Sequence, residues 1–148
     1  MSGNTYSFLD CHASIVGPGG AFSLGAGAGA AEEGITITPT GPIGGMLIGA
    51  DGAGQHSLFA DKSGKVTVRL LKTSPVNALL ANLYNFQTSS GSLYGQNTIT
   101  LTDATRGDVI TCEQVAFGKA PDLHYSKEAG TNEWEFNAIR VNRTLGNL

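Results

Sequence analysis

At 148 residues the chain has the size of one domain with a good core. Charged residues make up only 14%, against roughly 25% in ordinary soluble domains, so either the surface is a bland Ser/Thr/Gly one or other subunits cover much of it. The net charge is −3 with no basic cluster, which excludes a tight grip on nucleic acid by counterion release.

The first candidate strand is Tyr6 to Val16, with Phe8, Leu9, Ala13 and Ile15 spread over both faces. Gly17-Pro18-Gly19-Gly20 ends it in a turn. Residues 20–34 are Gly/Ala-rich and offer little to pack, so they read as an arm that orders only against another surface. Ile35-Thr36-Ile37-Thr38 alternates with a period of two. A turn-rich interval from Thr40 leads to Met46-Leu47-Ile48, and Gly49-Ala50-Asp51-Gly52-Ala53-Gly54 breaks the chain again. His56–Ala60 and Lys65–Leu71 flank Asp61-Lys62-Ser63-Gly64 and read as a hairpin around that loop.

One helix is expected over about Pro75–Gln87. Ser74 is a good N-cap, Pro75 suits the first helical position, and Val76, Leu79, Leu80 and Leu83 recur at helical spacing. The rest is β again. Thr98–Thr102 alternates, and Thr105-Arg106-Gly107-Asp108 turns the chain into Val109–Phe117. Leu123–Lys127 and Asn132–Thr144 flank a turn at residues 128–131. In the last strand Trp134, Phe136 and Ala138 share one face while Ile139 and Val141 fall on the other, so either a bulge flips the phase near Ala138 or both faces are covered. The fold class is mainly β, an antiparallel sandwich or barrel with one flanking α-helix, in a single domain of residues 1–148 with Gly-rich arms at about 17–34 and 40–56.

Charge is distributed unevenly along this plan. Asp10, Glu32, Glu33, Asp51 and Asp61 are the only charges in the first 61 residues, whereas the remaining 87 hold all nine Lys and Arg against seven acids. Chance asymmetry and complementarity between copies of the same chain both account for this. Cys11 and Cys112 form no CxxC or metal-ligand spacing and read as free core thiols. The opening Met1-Ser2-Gly3-Asn4 lacks a signal-peptide pattern, and no apolar run approaches ~20 residues, so a cytosolic chain is expected.

Sites of chemistry are lacking. The glycines of residues 17–20 and 25–27 precede β-type sequence, not the helix that a phosphate-binding loop requires. Arg106-Gly107-Asp108 is what a hairpin turn wants, Asn142-Arg143-Thr144 is an acceptor motif without a secretory route, and Gly49-Ala50-Asp51-Gly52 lacks the acid spacing of a calcium loop. His12, His56 and His124 are scattered, and Cys11 and His12 are strand neighbours that point to opposite faces. Glu32-Glu33 lies in the Gly/Ala arm, and Glu133 and Glu135 read as a solvated or intersubunit face rather than a glycosidase pair. No cofactor, metal or catalytic residue is assigned, and the expectation is a structural protein, not an enzyme.

Several segments carry a family resemblance: Thr5-Tyr6-Ser7-Phe8-Leu9-Asp10, Val16-Gly17-Pro18-Gly19-Gly20 with Phe22-Ser23-Leu24-Gly25, Ala31-Glu32-Glu33-Gly34-Ile35-Thr36, Ile48-Gly49-Ala50-Asp51-Gly52, the run Val66–Asn77, and Arg106–Thr111. Together, from about Thr5 to Gly146, the chain resembles a family of phage structural proteins formerly described only as a domain of unknown function, similar to tail tube proteins of contractile-tailed bacteriophages. The resemblance implies a tail-tube-like barrel or sandwich protomer, six of which form a ring. Rings would stack into a tube in the virion tail, assembled in the host bacterial cytoplasm. DNA would pass through the lumen without specific binding. Sheath, tape-measure, terminator and baseplate proteins would be the partners.

Within that picture the Gly-rich intervals 20–34 and 40–56 are expected to carry intersubunit contacts, with Gly25, Ala26, Gly27, Glu32, Glu33, Asp51 and Gly52 as the candidate residues. The alternatives are a tube protein of a type VI-like or other phage-like injection apparatus and, from another class, a carbohydrate-binding β-sandwich. The latter would display exposed aromatics, whereas Trp134 sits in a core pattern.

Overall fold

The computed structural model describes residues 5–24 and 30–146. After a 3-10 turn at Phe8–Asp10 the chain forms β1 (Cys11–Gly17), β2 (Gly20–Ser23), β3 (Ala30–Pro39), β4 (Gly44–Ile48), β5 (Gly54–Leu58) and β6 (Gly64–Leu71). The helix α1 (Val76–Gln87) follows, then β7 (Asn97–Asp103), β8 (Asp108–Lys119) and β9 (Thr131–Thr144). Among the described residues seven strands make one antiparallel sheet in the order β2-β1-β7-β8-β9-β6-β3, and β4 and β5 pair only with each other. The protein is mainly β and antiparallel with one α-helix, as the sequence predicts.

The sheet cannot lie flat. Seven strands laid side by side span about 29 Å from edge to edge. The two edge strands, β2 and β3, are consecutive in sequence, and the stretch from Leu24 to Ala30 reaches about 22 Å at most. The sheet therefore curls, and its concave face encloses one contiguous core. Ala13 and Ile15 come from β1, Val66, Val68 and Leu70 from β6, Ile99 from β7, Cys112, Val115 and Phe117 from β8, and Trp134, Phe136 and Ala138 from β9. Alternate residues of each strand point inward, which is why the period of two was legible.

The helix closes this core with Val76, Leu80 and Leu83. Ser74 behaves as expected at its start: the Val76 N–H donates to Ser74 Oγ at 3.2 Å. Leu79, expected on the buried face, is half-exposed, and Gln87, one turn beyond Leu83, is buried. Gln87 and Asn97 exchange a reciprocal pair of amide hydrogen bonds, Gln87 Nε2 to Asn97 Oδ1 at 2.6 Å and Asn97 Nδ2 to Gln87 Oε1 at 2.7 Å. Gln87 Nε2 also donates to the Pro18 carbonyl at 3.1 Å, so one buried amide pair ties the helix end to β7 and to the β1–β2 turn. At the other helix end Trp134 Nε1 donates to Asn77 Oδ1 at 3.1 Å.

The phase of β9 does flip. Ala138 is buried, Ile139 is exposed, and Val141 returns to the core. Gly64 pairs with Ala138, yet the Val141 N–H donates to Lys62 O, so β9 carries an extra residue against its neighbour. β8 bulges alongside: Asn97 pairs with Val115 but Ile99 with Cys112, and Gln114 takes a φ of +52°. The bulge, not coverage of both faces, resolves the mixed pattern of the last strand.

Four sequence expectations need correction. The first strand starts at Cys11, because Ser7 accepts from the Leu9 N–H and tightens Phe8–Asp10 into a 3-10 turn. The Gly/Ala arm is shorter than 20–34: Gly20–Ser23 pairs with β1, Leu24 is fully buried, and the chain is a strand again from Ala30. The segment 56–60 does not pair with 65–71; β5 pairs with β4, and β6 sits between β9 and β3. Leu123–Lys127 is no strand, since β8 pairs directly with β9 and leaves 120–130 as a connecting loop.

Candidate assembly interface

Residues 38–62 are all exposed, and the β4–β5 hairpin stands at their centre. Its register pairs Gly44 with Leu58, Met46 with His56 and Ile48 with Gly54. Met46, Ile48 and Leu58 therefore lie on one face and Leu47 on the other. Ile43 and Phe59 extend the ladder by one rung through a 2.8 Å backbone bond. All six are open to solvent, from 43% for Phe59 to 86% for Leu58.

The tip is well built. The Gly49 N–H donates to Ala53 O at 2.7 Å, the Ala53 N–H donates to Asp51 Oδ1 at 3.1 Å, and Gly52 takes a φ of +89° that a side chain would resist. The hairpin thus has defined geometry but no core of its own. An isolated two-stranded hairpin is marginal in water, and apolar side chains on both faces raise the cost of leaving it bare.

A second assembly feature is the pair of sheet edges. β2 and β3 each have a neighbour on one side only among the described residues. Such edges are templates for strand addition from another chain. The convex face of the sheet is held by cross-strand charges, Lys65 with Glu135 and Arg69 with Glu133, both at 3.6 Å. Arg69 also donates to Thr36 Oγ1 at 2.9 Å, so the charge ladder extends to β3.

The candidate contact residues divide by place. Asp51 and Gly52 sit at the hairpin tip, the most projecting point of the exposed segment. Glu32 and Glu33 belong to edge strand β3, within its irregularity between Ala30 and Ile35. Gly25, Ala26 and Gly27 lie outside the described residues. Leu58 and Phe59 were missed, because a hairpin around residues 61–64 would have placed them beside β6. The available signal was the near-absence of charge, with Asp51 the only charged residue between Pro39 and Ala60.

Among the described residues the chemistry-bearing side chains are dispersed over the fold. Among the described residues no three His, Cys, Asp or Glu side chains converge on a metal site. His12, His56 and His124 lie on β1, on β5 and in the loop before β9. Both cysteines are buried and free, and burial pushes the Cys112 thiol up to about 11, the opposite of an activated nucleophile. Arg106–Asp108 forms the β7–β8 turn, where Gly107 has a φ of +83° and Asp108 accepts from the Gly146 N–H at 2.7 Å. Trp134 is buried, so the one tryptophan offers no stacking face to a carbohydrate. Among the described residues no helix is long and apolar enough to cross a membrane.

The described residues thus form a curled antiparallel sheet with one helix and a bare apolar hairpin outside its core. The fold is shared with solved components of contractile injection systems. The sheath–tube complex of the extracellular contractile injection system PVC, in its extended state, contains a chain that superposes with a TM-score of 0.61 at 11% identity, over 96% of this chain and 93% of that one. The tube-terminating cap of the anti-feeding prophage gives 0.58 at 10% identity, over 99% and 94%. A chain of the six-fold symmetrised baseplate of that prophage gives 0.54 at 11% identity, covering 97% of each. No curated protein sequence matches. The chain belongs to the bacteriophage PhiTE tail tube protein family, whose model matches residues 3–146.

Proposed function

We propose that this tail tube protein assembles as six-membered rings that stack into a hollow tube, and that the viral genome passes through the lumen without specific binding. The observation that carries the reading is the hairpin, which presents Met46, Leu47, Ile48 and Leu58 to solvent without touching the core of its own subunit. Burial against a neighbouring subunit removes that cost at roughly 25 cal/mol per Å² of apolar surface. The open edges of β2 and β3 support ring closure, because a closed ring of heterologous contacts leaves no edge exposed. Low charge and the lack of a basic cluster suit a conduit that must release an anionic polymer.

On this reading Asp51 and Gly52 at the hairpin tip, and Glu32 and Glu33 on the β3 edge, lie at intersubunit contacts. A sheath surrounds the tube, a tape-measure protein fills it before ejection, and terminator and baseplate proteins meet its ends. The tube belongs to the virion tail and is assembled in the host bacterial cytoplasm. The protein acts as a wall, not as a catalyst. A second reading, a conduit for protein effectors, is favoured by the fold shared with extracellular injection components.

Negative-stain microscopy of the purified protein across a concentration series tests the assembly. Rings or tubes of uniform width with six-fold end views are expected, and a species that stays monomeric at every concentration overturns the proposal. Nuclease and protease treatment of the contents of purified particles separates genome from effector cargo.

A further inference from the structure

The root of the hairpin forms one wall of a crevice of about 960 Å³, and the end of β9 forms the other. Ile43, Leu58, Phe59 and Val141 line it, with Lys62 and Arg143 among its charged residues. It lies at the pole of the sheet where β6 begins and where β9 runs past Ala138 to Thr144.

The opposite pole of the same two strands carries the loop 120–130. Leu123 and Tyr125 are 76% and 80% exposed there. The loop is tied down. The Lys72 N–H donates to Gly130 O at 3.1 Å, Lys72 Nζ donates to the His124 carbonyl, and the same ammonium sits 3.7 Å over the Tyr125 ring. Ser126 Oγ donates to Glu128 O at 2.9 Å. Two large apolar side chains are therefore held outward on a braced loop, which lowers the ordering cost of docking them.

We propose that Leu123 and Tyr125 of one subunit enter the hairpin-root crevice of a second copy in the adjacent ring. This rests on the stacked-tube reading and adds its polarity and register. Knob and crevice sit at opposite ends of β6 and β9, so a shift along those strands brings one onto the other. The contact is heterologous and repeats without limit, as a stack requires. The crevice carries Lys62, Arg140 and Arg143 against Asp61, whereas on the loop Lys72 and Lys127 offset Asp122 and Glu128, so the two apolar side chains and not net charge carry the contact.

The test is a cysteine pair, Phe59→Cys with Tyr125→Cys, oxidised mildly after assembly and resolved on a non-reducing gel. A ladder of dimers, trimers and higher multimers is expected, with neither single variant giving one. Tubes in micrographs without a ladder overturn the proposal, as does cross-linking of Tyr125→Cys alone, which would mark a two-fold contact. If the double-cysteine protein does not assemble, Leu123→Ser with Tyr125→Ser decides. Rings with unchanged melting temperature and no stacking are expected, and stacking at the wild-type concentration overturns the proposal. Failure of the wild type itself to form tubes sinks the stacked-tube reading instead, so the two failures are told apart.

Discussion

The curled sheet and the β4–β5 hairpin are built from similar residues and end in opposite situations. In the body, Val66, Val68, Phe136 and Ile99 are buried by the strands across the curl and by α1, and the buried amides of Gln87 and Asn97 satisfy one another. In the hairpin, Met46, Leu47, Ile48 and Leu58 are as apolar and remain in solvent. The body is a finished fold, and on the proposed reading the hairpin is half of an interface. If that reading holds, stability and assembly are carried by separate parts of the same 148 residues, and substitutions should affect one without the other.

The sharpest separation comes from Phe136 and Leu47. Phe136 is fully buried, with its ring centroid 4.9 Å from that of Phe117. Phe136→Ala should cost about 3–5 kcal/mol, a large share of the roughly 5–15 kcal/mol that holds a domain folded. Leu47→Ser with Ile48→Ser should leave the urea midpoint within about 0.5 kcal/mol of wild type, because neither side chain contacts the core. The same double variant should lose tube formation in micrographs. Equal destabilisation by both changes, or intact tubes from the hairpin variant, would break the division.

A smaller effect is expected at Asn97. Removing its amide leaves the buried Gln87 side chain with a donor and an acceptor to satisfy, and only the Pro18 carbonyl remains as a partner. Asn97→Ala should lower stability by about 1–3 kcal/mol by urea titration. The reciprocal bonds also hold the end of α1 against the β1–β2 turn, where an added Cβ at Gly17 would collide with the Asn97 side chain. Hydrogen exchange should therefore rise at residues 84–88 and not in the hairpin. Exchange that rises equally everywhere would show that the amide pair has no local role.

This division also explains what the sequence could tell. Strands β6, β7 and β9 were legible because one face packs on the core and the other meets water, which writes a period of two into Val66-Val68-Leu70 and Trp134-Phe136-Ala138. The helix was legible from Ser74, Pro75 and its apolar spacing. Pairing was not. Asp61-Lys62-Ser63-Gly64 has the chemistry of a hairpin loop, and Asp61 does accept from the Ser63 N–H at 2.9 Å, but the turn joins the projecting hairpin to the sheet instead of two paired strands. Local turn residues set a bend; which strand fills the space beside β6 is decided by the distant β9. The hairpin was harder still. Every residue of β4 and β5 is exposed in the subunit, so no alternation records a buried face.

The mildest prediction uses pH to press on the body alone. Cys112 is buried against the core, and burial holds its thiol near 11, with the Arg143 guanidinium opposing the shift only in part. In the unfolded chain the thiol loses its proton near an ordinary value of about 8.5. Between those values the folded state binds more protons than the unfolded one, so stability present at neutral pH declines as pH rises through that window. The urea midpoint of the wild type should fall from about pH 8.5 upward, and Cys112→Ala, lower at neutral pH from its lost volume, should fall less steeply over the same range. The residues of β4 and β5 include no Cys, Tyr or Lys that would lose a proton on going alkaline. Pre-formed tubes at pH 9 should therefore keep their length while the subunit's own stability is already declining. A wild type and a Cys112→Ala variant with parallel slopes would assign the alkaline loss to other groups.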